Sequence, residues 1–424
     1  MSVNSINVNA KLHIGNLIKW IVLALSVSCY LMGFVVRFAW PPMIAVAAPD
    51  LGIDMARAGM YMSAFYIGYV LTHIPAGVLA DRFGVRYLLF AAMLLEGVSS
   101  LAMAHIGSFT PGFWLRIVGG LGAGTVYAAC VRSVTTWFSA KERGMAFGIM
   151  MLSPTAGVLL ANQIVPYVAD RFAWQTAFSM VGWLAIALAV LVLIAMKDTG
   201  QRAEGKNFKE GLRFVFGHRD LMLMAFAGFA LLWIQVGFIS WGNTALKHFG
   251  YSLAQAGLAM TLFGVGGILG PVVSGFLADR TTNKKALVIT GYLAMIPLVL
   301  AFGYLKGFGI LAAIACALGF LNGYANTFVP LMVSEYSGEE WAASAGGVTG
   351  SIFQIASILG PFVLGLSIDV TGSFTTVWWL LAAAPLGGVA LLLLMRKPAP
   401  EKSEGSTSCS CACPAKGGVA KGSQ

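Results

Sequence analysis

The sequence predicts an all-α polytopic membrane protein, with twelve transmembrane helices in two pseudosymmetric six-helix bundles. Three observations carry this expectation. Of the 424 residues, 58% are hydrophobic and 10% charged, with a mean hydropathy of +0.80. Soluble domains are about 25% charged, so this chain has too little polar surface to cover a water-soluble fold of its size. The Lys and Arg residues crowd into every second connection between hydrophobic stretches. The chain also repeats itself, with a charged signature that recurs 198 residues later (77 to 275).

Spans are expected at 18–42, 57–80, 87–105, 112–136, 143–166, 172–196, 221–246, 254–278, 285–305, 308–334, 342–366 and 374–395. Each has the roughly 20 residues that a helix needs to cross the hydrocarbon. The first is long and lacks a small-residue cleavage site, so it reads as a retained span and not a signal peptide. The fourth carries Arg116 and a glycine row at 119, 120, 122 and 124, which permits close helix approach. Ser153-Pro154 in the fifth and Gly360-Pro361 in the eleventh mark bends or tight contacts. The stretches are too long and too continuously apolar for a membrane β-barrel.

The spans divide the chain into an N-terminal bundle (1–196), a cytoplasmic linker (197–220), a C-terminal bundle (221–396) and a disordered cytoplasmic tail (397–424). The linker run from Lys206 to Arg219 reads as an amphipathic surface helix. The net charge of +10 would suit a nucleic-acid partner. The basic residues instead mark one side of the membrane, the other side holding only Arg57, Arg171, Lys247 and Lys306. By the positive-inside rule both termini are cytoplasmic, and no nucleic-acid partner is expected. Six cysteines are few for a secreted disulfide protein. Cys29, Cys130 and Cys316 read as small apolar fillers, and Cys409, Cys411 and Cys413 lie in the tail without the spacing of a compact metal site. No metal or other cofactor is expected. No nucleophile–base constellation or phosphate loop stands out, so an enzyme is not expected.

The segment Gly77-Val78-Leu79-Ala80-Asp81-Arg82-Phe83-Gly84-Val85-Arg86 and its shorter copy Gly275-Phe276-Leu277-Ala278-Asp279-Arg280 resemble the signature of the major facilitator superfamily. Arg116 with its following glycines resembles the superfamily's span-four signature, and the resemblance covers roughly 18–396. It implies two bundles around a central cavity and carriage of small solutes by alternating access. It also implies a gating role for Asp81, Arg82, Arg86, Asp279 and Arg280. A carboxylate at a helix end can pair with neighbouring arginines or with another helix N-terminus, and so latch one state. In the second copy Thr281 and Thr282 follow the Asp-Arg pair, with no glycine matching Gly84.

Ionisable residues inside a membrane are costly and few are accidental. The expected spans contain Arg37, His73, Glu96, His105, Arg116, Arg132 and, near an end, Glu335, so the first half holds nearly all of them. Three arginines against one well-buried acid leave a surplus of positive charge, which an anionic ligand would stabilise. The planar guanidinium suits carboxylate, phosphate or sulfonate. The stretch from Tyr127 to Phe138 resembles the organic-anion (anion:cation) symporter branch of the superfamily, in which a span-one and a span-four arginine bind the substrate's acid group; the matching residues are Arg37 and Arg132. Arg37 has the neutral Gln235 as its counterpart 198 residues on. Tyr61, Tyr127, Asn322, Asn326 and Gln354 complete the candidate substrate contacts, Asn322 and Asn326 sharing one helix face. Glu96, His73 and Arg116 are candidates for proton coupling, with a structural role open for each.

The leading expectation is a secondary transporter of a small organic anion, a carboxylate first, coupled to protons and acting as a monomer in a bacterial inner membrane. The coupling acids that the branch carries beside the span-one arginine and in span four are absent: Val36 precedes Arg37, and no acid precedes Glu142 in span four. Anion exchange or uniport therefore stands as a rival mode. Drug or metabolite efflux is a second alternative, against which the arginine surplus argues. A non-transporting membrane scaffold or sensor is a third, against which the intact repeats argue.

Overall fold

A computed structural model of the chain describes residues 3–395 except 74, 140, 199–207, 279 and 282, and the side chains of 3–17, 208–212, 339–340 and 342–344 are outside the description. Asp279 and the tail cysteines Cys409, Cys411 and Cys413 thus lie outside the described residues.

The described residues are helical, with no strand among them. Helix α1 is Val3–Phe38, followed by a 3-10 turn at Pro41–Met43 and α2 (Ile44–Asp50). The first bundle continues with α3 (Met55–His73), α4 (Ala76–Phe83), α5 (Val85–Met103), α6 (Phe109–Trp137), α7 (Arg143–Met151), α8 (Ser153–Arg171) and α9 (Trp174–Ala195). After α10 (Phe208–Gly217) come α11 (Arg219–His248), α12 (Leu253–Ala278), α13 (Lys284–Tyr304), α14 (Phe308–Thr371) and α15 (Thr375–Leu393). Helix α14 is two spans, Phe308–Gly338 and Ala345–Thr371, broken at Gly338 with φ of 70°. Only glycine adopts that left-handed backbone without strain. Among the described residues, eleven stretches are long and apolar enough to cross a membrane, twelve when α3 and α4 count as one bent span.

The breaks have covalent causes. Pro41 and Pro42 carry no N–H, so α1 cannot run through them. The span expected at 18–42 therefore stops as a helix at Phe38 and resumes at Ile44. Pro75 likewise stands where the span expected at 57–80 bends by 58° between α3 and α4. Leu152, just before Pro154, separates α7 from α8.

Within a membrane, helices associate by close packing and not by hydrophobic expulsion. Gly120 and Gly124 on α6 face the carbonyls of Phe65 and Tyr69 on α3, too close for a side chain. The second bundle repeats the device, with Gly319 on α14 against the Phe263 carbonyl of α12. Large apolar side chains such as Val78, Trp183 and Ile194 are left on the outside. The linker helix α10 sits on the end of the second bundle, Val215 buried and the Phe214 ring stacked on Trp341 at 5.0 Å.

The end of the molecule that holds the basic connections is called the basic end, and the opposite one the far end. At the far end the bundles meet along two seams. Asp369, at the close of α14, accepts hydrogen bonds from the N–H groups of Met55 (3.0 Å) and Ala56 (2.6 Å) that open α3. Close by, Gly59 abuts the backbone of Pro361. On the other side, Asn243 Nδ2 donates to Asn162 Oδ1 (2.9 Å) and Gln163 Nε2 to Thr261 Oγ1 (2.7 Å), while Gly257 lies against the Asn162 carbonyl.

Candidate functional site: a central cavity with one cation

Below these seams, between the bundles, lies a cavity of about 370 Å³, within the usual range for a small-molecule site. One wall comes from α1, α3 and α8, and the facing wall from α11, α12 and both arms of α14. Among the described lining residues Arg37 is the one charged side chain. It is 7% exposed, and its Nε has no hydrogen-bond partner. Four aromatic rings surround the guanidinium: Tyr69 at 4.3 Å, Phe34 at 4.7 Å, Tyr66 at 5.6 Å and Phe65 at 5.7 Å. Such cation–π contacts are worth about 0.5–2 kcal/mol each, yet they satisfy no N–H donor. The opposite wall is neutral and polar, presenting Gln235, Asn322, Asn326, Gln354 and Ser357. Asn322 Nδ2 donates to the Leu231 carbonyl, and Gln354 Oε1 accepts from Ser357.

Arg116 holds Arg37 in place without lining the cavity. Its guanidinium donates to the carbonyls of Tyr61 (3.1 Å), Val36 (3.2 Å) and Arg37 (3.0 Å) and stacks on Phe65. In a continuous helix the Arg37 carbonyl would bond the N–H four residues on, and residue 41 is a proline. Arg116 thus supplies the donor that Pro41 cannot. Glu96 is fully buried on α5, with no hydrogen-bond partner for either oxygen. Gly33 on α1 and Gly122 on α6 leave the room it occupies.

Two further recesses run from the cavity toward the basic end. The first shares Asn326 and Gln354 with the cavity and reaches His73. The second shares His73 and reaches Tyr127, Asp81 and Arg132. The His73 ring stacks on Tyr69, and its Nδ1 lies 3.3 Å from the Gly124 carbonyl. A carbonyl only accepts, so Nδ1 carries the hydrogen. Arg132 forms an ion pair with Asp81 across α6 and α4.

This arrangement, two helical bundles closed on each other at one end over a central polar cavity, has known relatives. Residues 23–361 match the model of the Major Facilitator Superfamily, and residues 237–408 match it a second time. The chain belongs to the Major Facilitator Superfamily. It is a transporter and not an enzyme. It is 25% identical over 395 residues to the hexuronate transporter of Bacillus subtilis (strain 168), covering 86% of this chain and 94% of that one. It is 25% identical over 389 residues to a probable sulfoacetate transporter of Cupriavidus necator, covering 84% and 89%. Among solved structures, a bacterial homologue of the human lysosomal transporter Spinster, inward-facing and unoccupied, superposes with a TM-score of 0.74 at 16% identity, over 89% of this chain and 94% of that one.

Within this superfamily fold the candidate residues separate into groups. Arg37, Gln235, Asn322, Asn326 and Gln354 converge on one cavity. Arg132 and Tyr127 stand in the basic-end recess instead, because Arg132 lies more than four helical turns beyond Arg116 on α6. Tyr61 is fully buried outside the cavity lining, its hydroxyl donating to the Phe109 carbonyl at 3.1 Å. Of the signature residues, Arg86 donates to the Leu193 carbonyl, while Arg82 and Arg280 lie over the rings of Phe83 and Phe276.

Several partners were not read from the sequence. Asp198 accepts from the N–H groups of Val85 (3.0 Å) and Arg86 (3.2 Å), capping α5 where Gly84 leaves no Cβ in the way. Tyr69, which touches both Arg37 and His73, was also missed; its spacing four before His73 was the available signal. Asp369 had no sequence signal beyond being an acid at a span end.

Proposed function

We propose that this chain is a secondary active transporter that moves a small organic anion, a carboxylate, across the bacterial inner membrane by alternating access, coupled to protons. The observation that carries the reading is Arg37, a buried guanidinium with an unsatisfied donor facing a cavity between two bundles. An anionic oxygen pair is the natural partner for such a fork. The relatives named for hexuronate and sulfoacetate carry organic acids, which agrees with this choice.

In this reading the basic end is cytoplasmic, by the excess of Lys and Arg there, and both termini lie on that side. The far-end seams close the periplasmic side, and the chain of recesses opens the cavity inward. Residues 1–196 and 221–396 are the two bodies that rock, joined by the linker 197–220. Arg37 holds the acid group, Gln235, Asn322, Asn326 and Gln354 hold the rest of the solute, and Arg132 with Tyr127 lines the route to the cytoplasm. Asp81, held here by Arg132 of the same bundle, serves as the latch that is released to the second bundle when the cytoplasmic side closes, with Arg82, Arg86 and Arg280 as its basic surroundings. Glu96 is the protonatable acid for coupling, with His73 on the inward route and Arg116 as the brace between Glu96 and Arg37. The monomer is the working unit.

Anion exchange is the second reading, favoured by one observation: no acid stands among the described residues that line the cavity. Uptake by proteoliposomes of a panel of carboxylates, sulfonates and phosphate esters, with and without a pH gradient, separates the modes. Uptake driven by the gradient supports symport, and uptake that requires internal anion supports exchange. No uptake of any anion in either format would sink the proposal.

A further inference from the structure

Arg37 and Gln235 occupy equivalent positions in the two halves, 198 residues apart, and both line the cavity. One half therefore presents a cation and the other a neutral amide. The nearby arginines cannot make good the difference. Arg116 is committed to three backbone carbonyls, and Arg132 is paired with Asp81 in a separate recess. The remaining polar lining is made of amides and hydroxyls, among them Asn326, Gln354 and Ser357. These groups can bind hydroxyls as donors and acceptors. They cannot neutralise a second anionic group, and an unpaired charge taken from water into such a cavity is strongly disfavoured.

We propose that the cavity selects singly charged organic anions whose other polar groups are neutral, that it excludes dianions, and that Gln235 sets this limit. The inference rests on the anion-transport reading and narrows its substrate class. Sequence similarity does not decide the matter, since relatives at the same 25% identity are named for the monoanion hexuronate and for the dianions galactarate or D-glucarate and sulfoacetate.

A matched pair tests it. D-gluconate and D-glucarate share a six-carbon hydroxylated chain and differ at one end, where a CH2OH group is replaced by a carboxylate. Binding of each to the purified full-length protein is measured by calorimetry at neutral pH, together with D-glucuronate as a second monoanion and sulfoacetate as a second dianion. The expected result is that the monoanions bind at least about tenfold more tightly than the dianions. Gln235→Arg supplies the missing cation and reverses that order, and Gln235→Lys does the same should the arginine variant not fold. Equal or tighter binding of the dianions by the unaltered protein overturns this inference and leaves the anion reading standing. Monoanion preference that persists in a folded Gln235→Arg or Gln235→Lys protein overturns the role of Gln235. Failure of all four anions to bind overturns the transport reading itself, and the inference with it.

Discussion

Asp369→Ala should unlock the far end. In the described state the Asp369 carboxylate crosses from the second bundle to accept from the Met55 and Ala56 N–H groups at the start of α3. Hydrogen bonds to a charged group are worth about 1.5–3 kcal/mol where buried, and a carboxylate at a helix N-terminus adds about 0.3–1 kcal/mol. Asp369 is exposed, so water recovers much of this when the seam parts. A net shift of about 1–2 kcal/mol remains, which moves the balance between far-end-closed and far-end-open states by roughly 5- to 30-fold. Spin labels at Phe172 and Lys306, exposed far-end positions on the two bundles, would report it as growth of a longer-distance population. Asp54→Ala is the control. Asp54 caps the same helix by accepting from the Arg57 N–H, but from within the first bundle. It should weaken α3 without opening the seam. Identical distance distributions for Asp369→Ala and the unaltered protein would refute the lock, as would equal opening by Asp54→Ala.

Three further outcomes follow from the same geometry. Gly120→Ala drives a Cβ into the Phe65 carbonyl, so it should cost about 1–3 kcal/mol and lower the thermal midpoint in detergent, whereas Gly77→Ala meets open space and should not. Arg116→Met strips the donor from the Arg37 carbonyl that Pro41 cannot serve. Leaving that buried acceptor unsatisfied should destabilise the fold by about 1–3 kcal/mol and weaken anion binding by loosening Arg37, both read from one ligand-dependent melting series. Lys19, 2.6 Å from Glu142, and the Ser139 hydroxyl hold the Glu142 carboxyl below its ordinary range. A carboxylate depressed in the fold stabilises above its unfolded value and loses that contribution as the pH falls through the folded one. Glu142→Gln should therefore melt below the unaltered protein at neutral pH, and the two curves should converge in acid.

The spans were legible because hydropathy and charge placement are one-dimensional signals. The observed helices at Val85–Met103, Arg219–His248 and Leu253–Ala278 lie within two or three residues of the expected ends. The breaks at Pro41 and Pro75 were less so: continuous apolar sequence masks a missing backbone N–H. The pairing of Arg37 with Gln235 in one cavity follows from the repeat, which carries a position in one half to the same depth in the other. Asn322 and Asn326 share a face at helical spacing, and both line that cavity. Arg132 separates from Arg37 because residue type says nothing of depth, and Asp81 lies opposite it at the basic end. Arg116 was ambiguous in the sequence because its partners are carbonyls, which every residue has. Asp198 and Asp369 cap helices far away in the chain, and such contacts leave no local pattern.

In the proposed transport cycle Arg37 binds the anion in the cavity between the bundles. The direct measurement is calorimetric binding of a monocarboxylate, such as D-glucuronate, to the purified protein and to Arg37→Gln. Removing one partner of a buried charge pair costs about 2–5 kcal/mol, so the variant should bind at least about tenfold more weakly while remaining folded. Unchanged affinity in a folded Arg37→Gln protein would rule out that role for Arg37.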